Sequence, residues 1–241
     1  MIEVSHLKKS FGDVDALKDV SFTAQDSGVT GLLGPNGAGK STTLRILYGL
    51  LKQDGGVARI DGINTLDNTR GAQARIGVLP DNHGLYARMT GREHIRYFGE
   101  LQGLSKDKLE SRIDDLIRML SMADIADRPT EGFSQGQRMK VCLARALVHS
   151  PGNIILDEPT NGLDVMTTRI VRELIMDLRK QGITVLFSSH LMHEVARLCD
   201  HIVIVSEGLV VAQGTTDEIS AAANETDLED AFVKLVEKVI T

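Results

Sequence analysis

The chain has 241 residues, of which 42% are apolar and 25% charged. That length allows one large domain or two small ones, and the composition is too apolar for a disordered chain. With Lys+Arg 27 against Asp+Glu 33, the net charge of −6 argues against a chain built to coat nucleic acid or an anionic membrane. The two cysteines, Cys142 and Cys199, each lie in an apolar, helix-like stretch. They exclude a disulfide scaffold and indicate a reducing compartment. No run approaches the roughly 18 apolar residues of a membrane span, and Met1-Ile2-Glu3-Val4 is not a basic-then-apolar leader. A cytosolic protein is therefore expected, and any work at a membrane requires another chain to span it.

In chain order, Ile2, Val4 and Leu7 lead a first strand, and Val20 and Phe22 alternate with polar neighbours in a second. Val29 to Leu33 is an apolar run stopped by Gly34. Val57 to Ile60 ends in the turn pair Asp61-Gly62, and Ile76 to Leu79 ends at Pro80. Thr90 followed by Glu93 predicts a capping box, with helical spacing through His94, Ile95, Phe98 and Leu101. Ser105 opens a second helix whose apolar face is Leu109, Ile113, Leu116, Ile117 and Leu120. A third helix runs from Ser134 to about Val148. Strand and helix then alternate: Ile154–Leu156, a helix near Thr167–Lys180, Val185–Phe187, a helix near Leu191–Leu198, and Ile202–Val205. Alternation of this kind predicts a parallel sheet covered by helices, with the helix-rich stretch 84–146 inserted into it. Leu228, Ala231, Phe232, Leu235, Val236 and Val239 predict a final amphipathic helix that packs on its own domain.

Gly34-Pro35-Asn36-Gly37-Ala38-Gly39-Lys40-Ser41 fits the G-x-x-x-x-G-K-[ST] phosphate loop between a predicted strand and a predicted helix. Its glycines allow backbone N–H groups to point inward, and the helix start brings partial positive charge to the same point. Lys40 is placed to bridge the β- and γ-phosphates, and the Ser41 hydroxyl to ligate Mg²⁺. This is a nucleoside triphosphate site. Ile154-Ile155-Leu156-Asp157-Glu158 is an apolar strand ending in two carboxylates. Asp157 is suited to hold Mg²⁺ opposite Ser41, and Glu158, on the other face, to polarise an attacking water.

Three further motifs fix the class. Phe133-Ser134-Gln135-Gly136-Gln137 precedes a helix, Pro159-Thr160-Asn161-Gly162-Leu163-Asp164 follows the carboxylate pair, and Ser188-Ser189-His190 follows the next strand. In this order the residues resemble the nucleotide-binding domain of ATP-binding cassette (ABC) transporters, over essentially the whole chain. The resemblance implies an ABC ATPase fold: a P-loop NTPase α/β core with a mostly parallel sheet, N-terminal antiparallel strands and an inserted α-helical subdomain. The corresponding boundaries are 1–83 and 147–220 for the core, 84–146 for the helical subdomain and 221–241 for the C-terminal helix. It also implies ATP and Mg²⁺ as cofactors, with Thr42 joining the phosphate loop. Phe11 would stack on adenine, with an apolar strand residue as the alternative. Ser134, Gly136 and Gln137 look like the signature loop that closes over the γ-phosphate held by a second copy of the chain. Asp164 would couple the two sites, and His190 would contact the γ-phosphate and hold the water.

Two positions depart from the family pattern. Asp81 stands where Gln is usual, so it could meet the metal or leave that place to water. Gln135 replaces a usual Gly, and whether its backbone needs a positive φ is left open by the sequence. The junction Asn82 to Thr90 matches the family's groove for a membrane permease, with Leu85, Tyr86 and Met89 as apolar contacts; equally, these could pack inside the helical subdomain. Asp81-x₂-Gly84-Leu85-Tyr86 and Leu228-Glu229-Asp230-Ala231-Phe232 are most similar to the sodium-extrusion (Nat-type) branch of bacterial exporters. That implies a location on the inner face of the plasma membrane through a separately encoded permease. A soluble ABC-type ATPase, such as one of iron–sulfur assembly, is the alternative. A GTPase or small-molecule kinase is set aside by the signature loop and the lack of an Asn-Lys-x-Asp guanine reader.

Overall fold

The computed structural model describes residues 1–81 and 84–240; Asn82 and His83 of the docking junction, and the side chain of Val239, lie outside what it describes. In chain order, β1 (Ile2–Phe11) and β2 (Val14–Ala24) are followed by β3 (Val29–Leu33), α1 (Lys40–Leu47), β4 (Gly55–Ile60) and β5 (Ile63–Asn64). Then come α2 (Thr69–Gln73), β6 (Ile76–Leu79) and the helices α3 (Gly91–Leu101), α4 (Lys106–Met119) and α5 (Gln135–Leu147). β7 (Asn153–Asp157), α6 (Val165–Lys180), β8 (Thr184–Ser189), α7 (Met192–Leu198) and β9 (His201–Ser206) alternate as the sequence predicts. β10 (Leu209–Gly214), α8 (Thr216–Ala223) and α9 (Leu228–Ile240) complete the chain.

Among the described residues one sheet runs in the order β5-β4-β1-β2-β10-β9-β3-β8-β7-β6. β3, β7 and β8 are buried at every position, as strands covered on both faces must be. They pair in parallel, with β9 beside β3 and β6 beside β7 also parallel. β1 pairs antiparallel with both β2 and β4, so the expected mixture of a parallel core and N-terminal antiparallel strands is present. The two halves meet where β10 pairs with β2 at Leu209 and Asp19.

The period of two along each strand divides the interior into two cores. Ile154, Leu156, Val185, Phe187, Ile202 and Ile204 face a core shared with α3 to α7 and α9. Ile155, Leu186, Val203 and Val205 face a second core completed by β1, β2, β4 and α1. The turn at Asp61-Gly62 has φ of +49° and +76°, the two positive values that a type I′ hairpin needs. Thr90 and Glu93 form the predicted capping box at the start of α3. Leu228, Ala231, Leu235 and Val236 of α9 are buried, as predicted, in the first core. Burial of each of the larger side chains is worth about 1.5–3 kcal/mol.

Four elements escaped the sequence reading: β5, α2, β10 and α8. β5 spans two residues and α2 five. β10 is half-buried over most of its length, so its side chains show no clean alternation. No described helix is long and apolar enough to cross a membrane.

Candidate functional site

The chain leaves β3 at Leu33 and enters α1 at Lys40 through the glycine-rich loop. A Cβ at Gly34 would lie 2.2 Å from the Val205 carbonyl oxygen, so this glycine is required by close packing on β9. Gly37 and Gly39 have φ of +84° and +104°, and a side chain on Gly39 would strike Leu17 and the Ala16 carbonyl. Gly39 is also the N-cap of α1, with no side-chain cap and no acidic residue in the first turn. The first N–H groups of α1 are thus free of a side-chain acceptor and carry the helix's positive end, which suits them to an anion.

Above this loop is a cleft of about 460 Å³ lined by Pro35 to Thr42, Ala16, Asp81, Glu158, Asn161 and His190. Lys40 is buried, and its ammonium donates to the carbonyls of Gly34 at 2.7 Å and Pro35 at 3.2 Å. Glu158 Oε1 is 3.7 Å from the same ammonium. Burial lowers the Lys40 pKa from its ordinary value, and the charges of Glu158 and Asp157 oppose that shift.

Glu158, which the sequence assigns to the attacking water, is held by two neighbours. Its Oε2 is 2.9 Å from His190 Nδ1, so one carboxylate faces both a lysine and an imidazole. Its backbone φ is +50°, a conformation that costs a non-glycine residue on the order of 1–3 kcal/mol. Ser188 holds it there, because the Ser188 hydroxyl oxygen accepts from the Glu158 N–H at 3.0 Å. The same hydroxyl donates to Asp157 Oδ1 at 2.6 Å, and Ser41 Oγ donates to that oxygen at 3.1 Å.

The second oxygen of Asp157, Oδ2, is buried and has no hydrogen-bond partner. An unpaired buried carboxylate oxygen is costly unless something positive meets it. It sits beside the Ser41 hydroxyl, the donor set expected of Mg²⁺ bound by one carboxylate, one hydroxyl, waters and phosphate oxygens. No cluster of three His, Cys, Asp or Glu side chains that could hold a metal occurs among the described residues. Asp81 is exposed on the rim of the cleft.

The remaining predicted residues lie apart from this cleft. Ser134 caps α5: its Oγ accepts from the Gln137 N–H, and Gln137 Oε1 accepts from the Ser134 N–H, a closed capping box. Gly136 is buried against Thr167, where a Cβ would come within 2.7 Å of Thr167 Oγ1. Asp164 caps α6 through the N–H and hydroxyl of Thr167. Gln135 has no positive φ, and its amide donates to the Asn161 carbonyl at 2.9 Å. Phe11 is 47% exposed at the turn end of the β1–β2 hairpin, paired with Val14, with the Lys9 ammonium 5.4 Å from its ring centre. Cys142 and Cys199 are unpaired thiols, and burial raises the pKa of both.

Of the junction residues, Leu85 and Met89 are half-buried, and Leu85 packs on the first core. Tyr86 is 58% exposed and stacks on His94 with ring centres 5.6 Å apart. Nearby, Leu50, Val78, Pro80, Phe98, Arg145 and His149 line a groove of about 320 Å³ between the sheet and α3 and α5. From sequence, Phe98 reads as part of a helix face, Val78 and Pro80 as a strand and its end, and Arg145 as part of the helix after the signature motif; none of them points to a groove. Ser188 and Asn161 were also quoted without a role. Ser188, next to the last residue of β8, lies opposite Asp157, a pairing that only the strand order reveals.

The family model described as ABC transporter matches residues 17–161. The chain is 42% identical over 242 residues to the ABC transporter ATP-binding protein NatA of Bacillus subtilis (strain 168), covering 98% of each. Its fold matches a solved structure of an ATP-binding subunit of an ABC transporter with a TM-score of 0.90 and 30% identity, over 98% of this chain and 99% of that one. It also matches a dimeric, post-hydrolysis structure of an ATP-binding cassette bound to ADP and Pi. There the TM-score is 0.81 at 25% identity, over 89% of this chain and 98% of that one.

Proposed function

This chain belongs to the ABC transporter family as an ATP-binding, ATP-hydrolysing subunit using Mg²⁺, and from that premise we propose that two copies close around two ATP molecules to drive a separately encoded permease. The observation that carries the reading is the convergence of Lys40, Ser41, Asp157, Glu158 and His190 on one cleft. Lys40 and the uncapped first turn of α1 bind the phosphates, and Ser41 and Asp157 hold the cation. Mg²⁺, when bound, offsets phosphate charge and orients the γ-phosphate. Glu158 accepts the proton of the attacking water, and His190, 2.9 Å from Glu158, keeps that carboxylate aimed and reaches the γ-phosphate. Asp81, on the rim, reaches the cation only when the cleft closes.

Each α5 start, with Ser134, Gly136 and Gln137, completes the other copy's cleft, and Asp164 lies on the route between the two clefts. Phe11 stacks on the adenine. The dimeric post-hydrolysis cassette supports this arrangement by similarity. The groove at Leu50, Phe98 and Arg145, with exposed Tyr86 beside it, receives an element of the permease. Export, with Na⁺ as cargo, is supported by the resemblance of the Asp81 to Tyr86 segment to the sodium-extrusion branch and by the near full-length likeness to NatA.

The deciding experiment is light scattering after size exclusion on Glu158→Gln with and without ATP-Mg²⁺. A doubling of mass with ATP supports the sandwich, and a monomer in ATP-Mg²⁺ refutes it for the isolated subunit. Cargo is tested in inverted vesicles carrying this chain and its permease. ATP-driven Na⁺ uptake is expected, and coupled ATPase activity without Na⁺ movement excludes Na⁺.

A further inference from the structure

Gln135, the first residue of α5, is exposed, yet its side chain is fixed. Its amide N–H donates to the Asn161 carbonyl at 2.9 Å. Asn161 in turn lines the phosphate cleft, and its N–H donates to the Glu158 carbonyl at 3.1 Å. Beneath the Gln135 amide lies Gly162 with φ of +68°, where a Cβ would sit 2.8 Å from Gln135 Nε2. The loop therefore bends to admit this side chain. Two successive hydrogen bonds join the start of α5 to the backbone of Glu158, the residue whose carboxylate faces Lys40 and His190 of the same chain.

The geometry points to Gln135 as a positioning residue that ties a subunit's own nucleotide cleft to the α5 start it presents to its partner. The inference rests on the sandwich reading above. A displacement of Glu158 and Asn161 when ATP enters one cleft is passed through the Gln135 amide to the helix start that completes the second cleft. A glycine at position 135 has no side chain to carry this link. Coupling of this kind needs two sites, one element shared between them, and a Gln135 contact whose strength changes when a cleft fills.

Gln135→Met keeps the length and helix preference and removes the donor, while Gln135→Gly removes the side chain altogether. Both are assayed for binding of a fluorescent ATP analogue, for ATP-driven dimerisation in the Glu158→Gln background, and for the ATP dependence of hydrolysis. The expected result is wild-type nucleotide affinity, preserved dimerisation, and maximal turnover within about two-fold. The coupling between the two sites falls roughly five-fold, so a Hill coefficient well above 1 in the wild type drops toward 1. A general packing defect would instead lower affinity or turnover and leave the Hill coefficient in place, which refutes the assignment. A wild-type Hill coefficient of 1, or an unchanged coefficient in Gln135→Met, also refutes it. Failure of Glu158→Gln itself to dimerise overturns the sandwich and not this link alone.

Discussion

Ser188→Ala removes one hydroxyl that makes two bonds in the centre of the site. Ser188 is fully buried, its Oγ donates to Asp157 Oδ1 at 2.6 Å, and it accepts from the Glu158 N–H at 3.0 Å. A hydrogen bond to a charged acceptor contributes about 1.5–3 kcal/mol, and a buried donor left unpaired costs about 1–3 kcal/mol. Together these give a destabilisation of about 2.5–6 kcal/mol. At roughly 2–4 °C per kcal/mol for a chain of this size, the melting temperature falls by on the order of 10 °C. The catalytic effect is separate. Glu158 loses the contact that holds it at φ +50°, and a shift of about 1 Å in a reacting group costs up to roughly 10²-fold in rate. Turnover is expected to fall by about 10- to 100-fold, with ATP affinity little changed because Lys40 and the phosphate loop are untouched. Calorimetry, equilibrium nucleotide binding and steady-state ATPase assays read the three quantities independently. A Ser188→Ala protein that melts within about 2 °C of wild type and turns over at the wild-type rate refutes the reasoning.

Lys40→Ala removes the buried ammonium that faces the phosphates, so ATP affinity itself drops; wild-type affinity by titration calorimetry would remove the phosphate-loop assignment. Asp81→Ala raises the Mg²⁺ concentration needed for half-maximal hydrolysis, and an unchanged Mg²⁺ titration takes Asp81 out of the metal site. Arg172→Ala removes the guanidinium paired with Glu194, which is 2% exposed and keeps the His193 imidazole at 3.4 Å, at a cost of up to about 3–5 kcal/mol. Replacing both by Met recovers most of the loss, which denaturant midpoints would check. His94 and His149 each keep a buried ring nitrogen without a partner, and burial holds both imidazoles below their ordinary value of about 6.5. The unfolded chain takes up those protons first, so stability present above about pH 7 is lost as pH falls through the folded pKa values. Gln at both positions flattens the pH dependence of the urea midpoint between pH 7.5 and 5.5, and an undiminished slope counts against these two groups.

The strands and helices that the sequence shows are those whose burial follows a simple period. β3, β7 and β8 are continuous apolar runs because both faces are covered, and α4 shows its stripe because only one face is. β10 is half-buried along its length and β5 is two residues long, so neither imposes a pattern. At the site, residue types and spacing pointed to the phosphate loop and the carboxylate pair, since each chemistry admits few alternatives, while the role of His190 came only with the family resemblance. What stayed hidden were contacts between elements. The role of Ser188 depends on which strand lies beside β7, and that of Gln135 depends on how the loop after Glu158 folds back onto α5. Even Gly34, read as room for a phosphate, is held to glycine by the Val205 carbonyl of a strand some 170 residues later in the chain.

The placement of the site follows from the register of three neighbouring strands. β8 lies between β3 and β7, pairing Leu33 with Ser189 on one side and Asp157 with Ser188 on the other. Gly34, Glu158 and His190 are each the first residue beyond the end of one of these strands. Adjacent strands are about 4.8 Å apart, so the three chain exits stand in a row across one edge of the sheet. Lys40, Glu158 and His190 then need only short side chains or one turn of helix to meet. A slip of one residue in β7 would exchange the faces of Asp157 and Glu158. It would turn the acid beside Ser41 toward His190 and bring the longer Glu158 to the cation position in its place. The register is protected because Ile154 and Leu156 would have to exchange cores with Ile155 in the same slip. The two apolar cores therefore specify which carboxylate faces the metal and which faces the water.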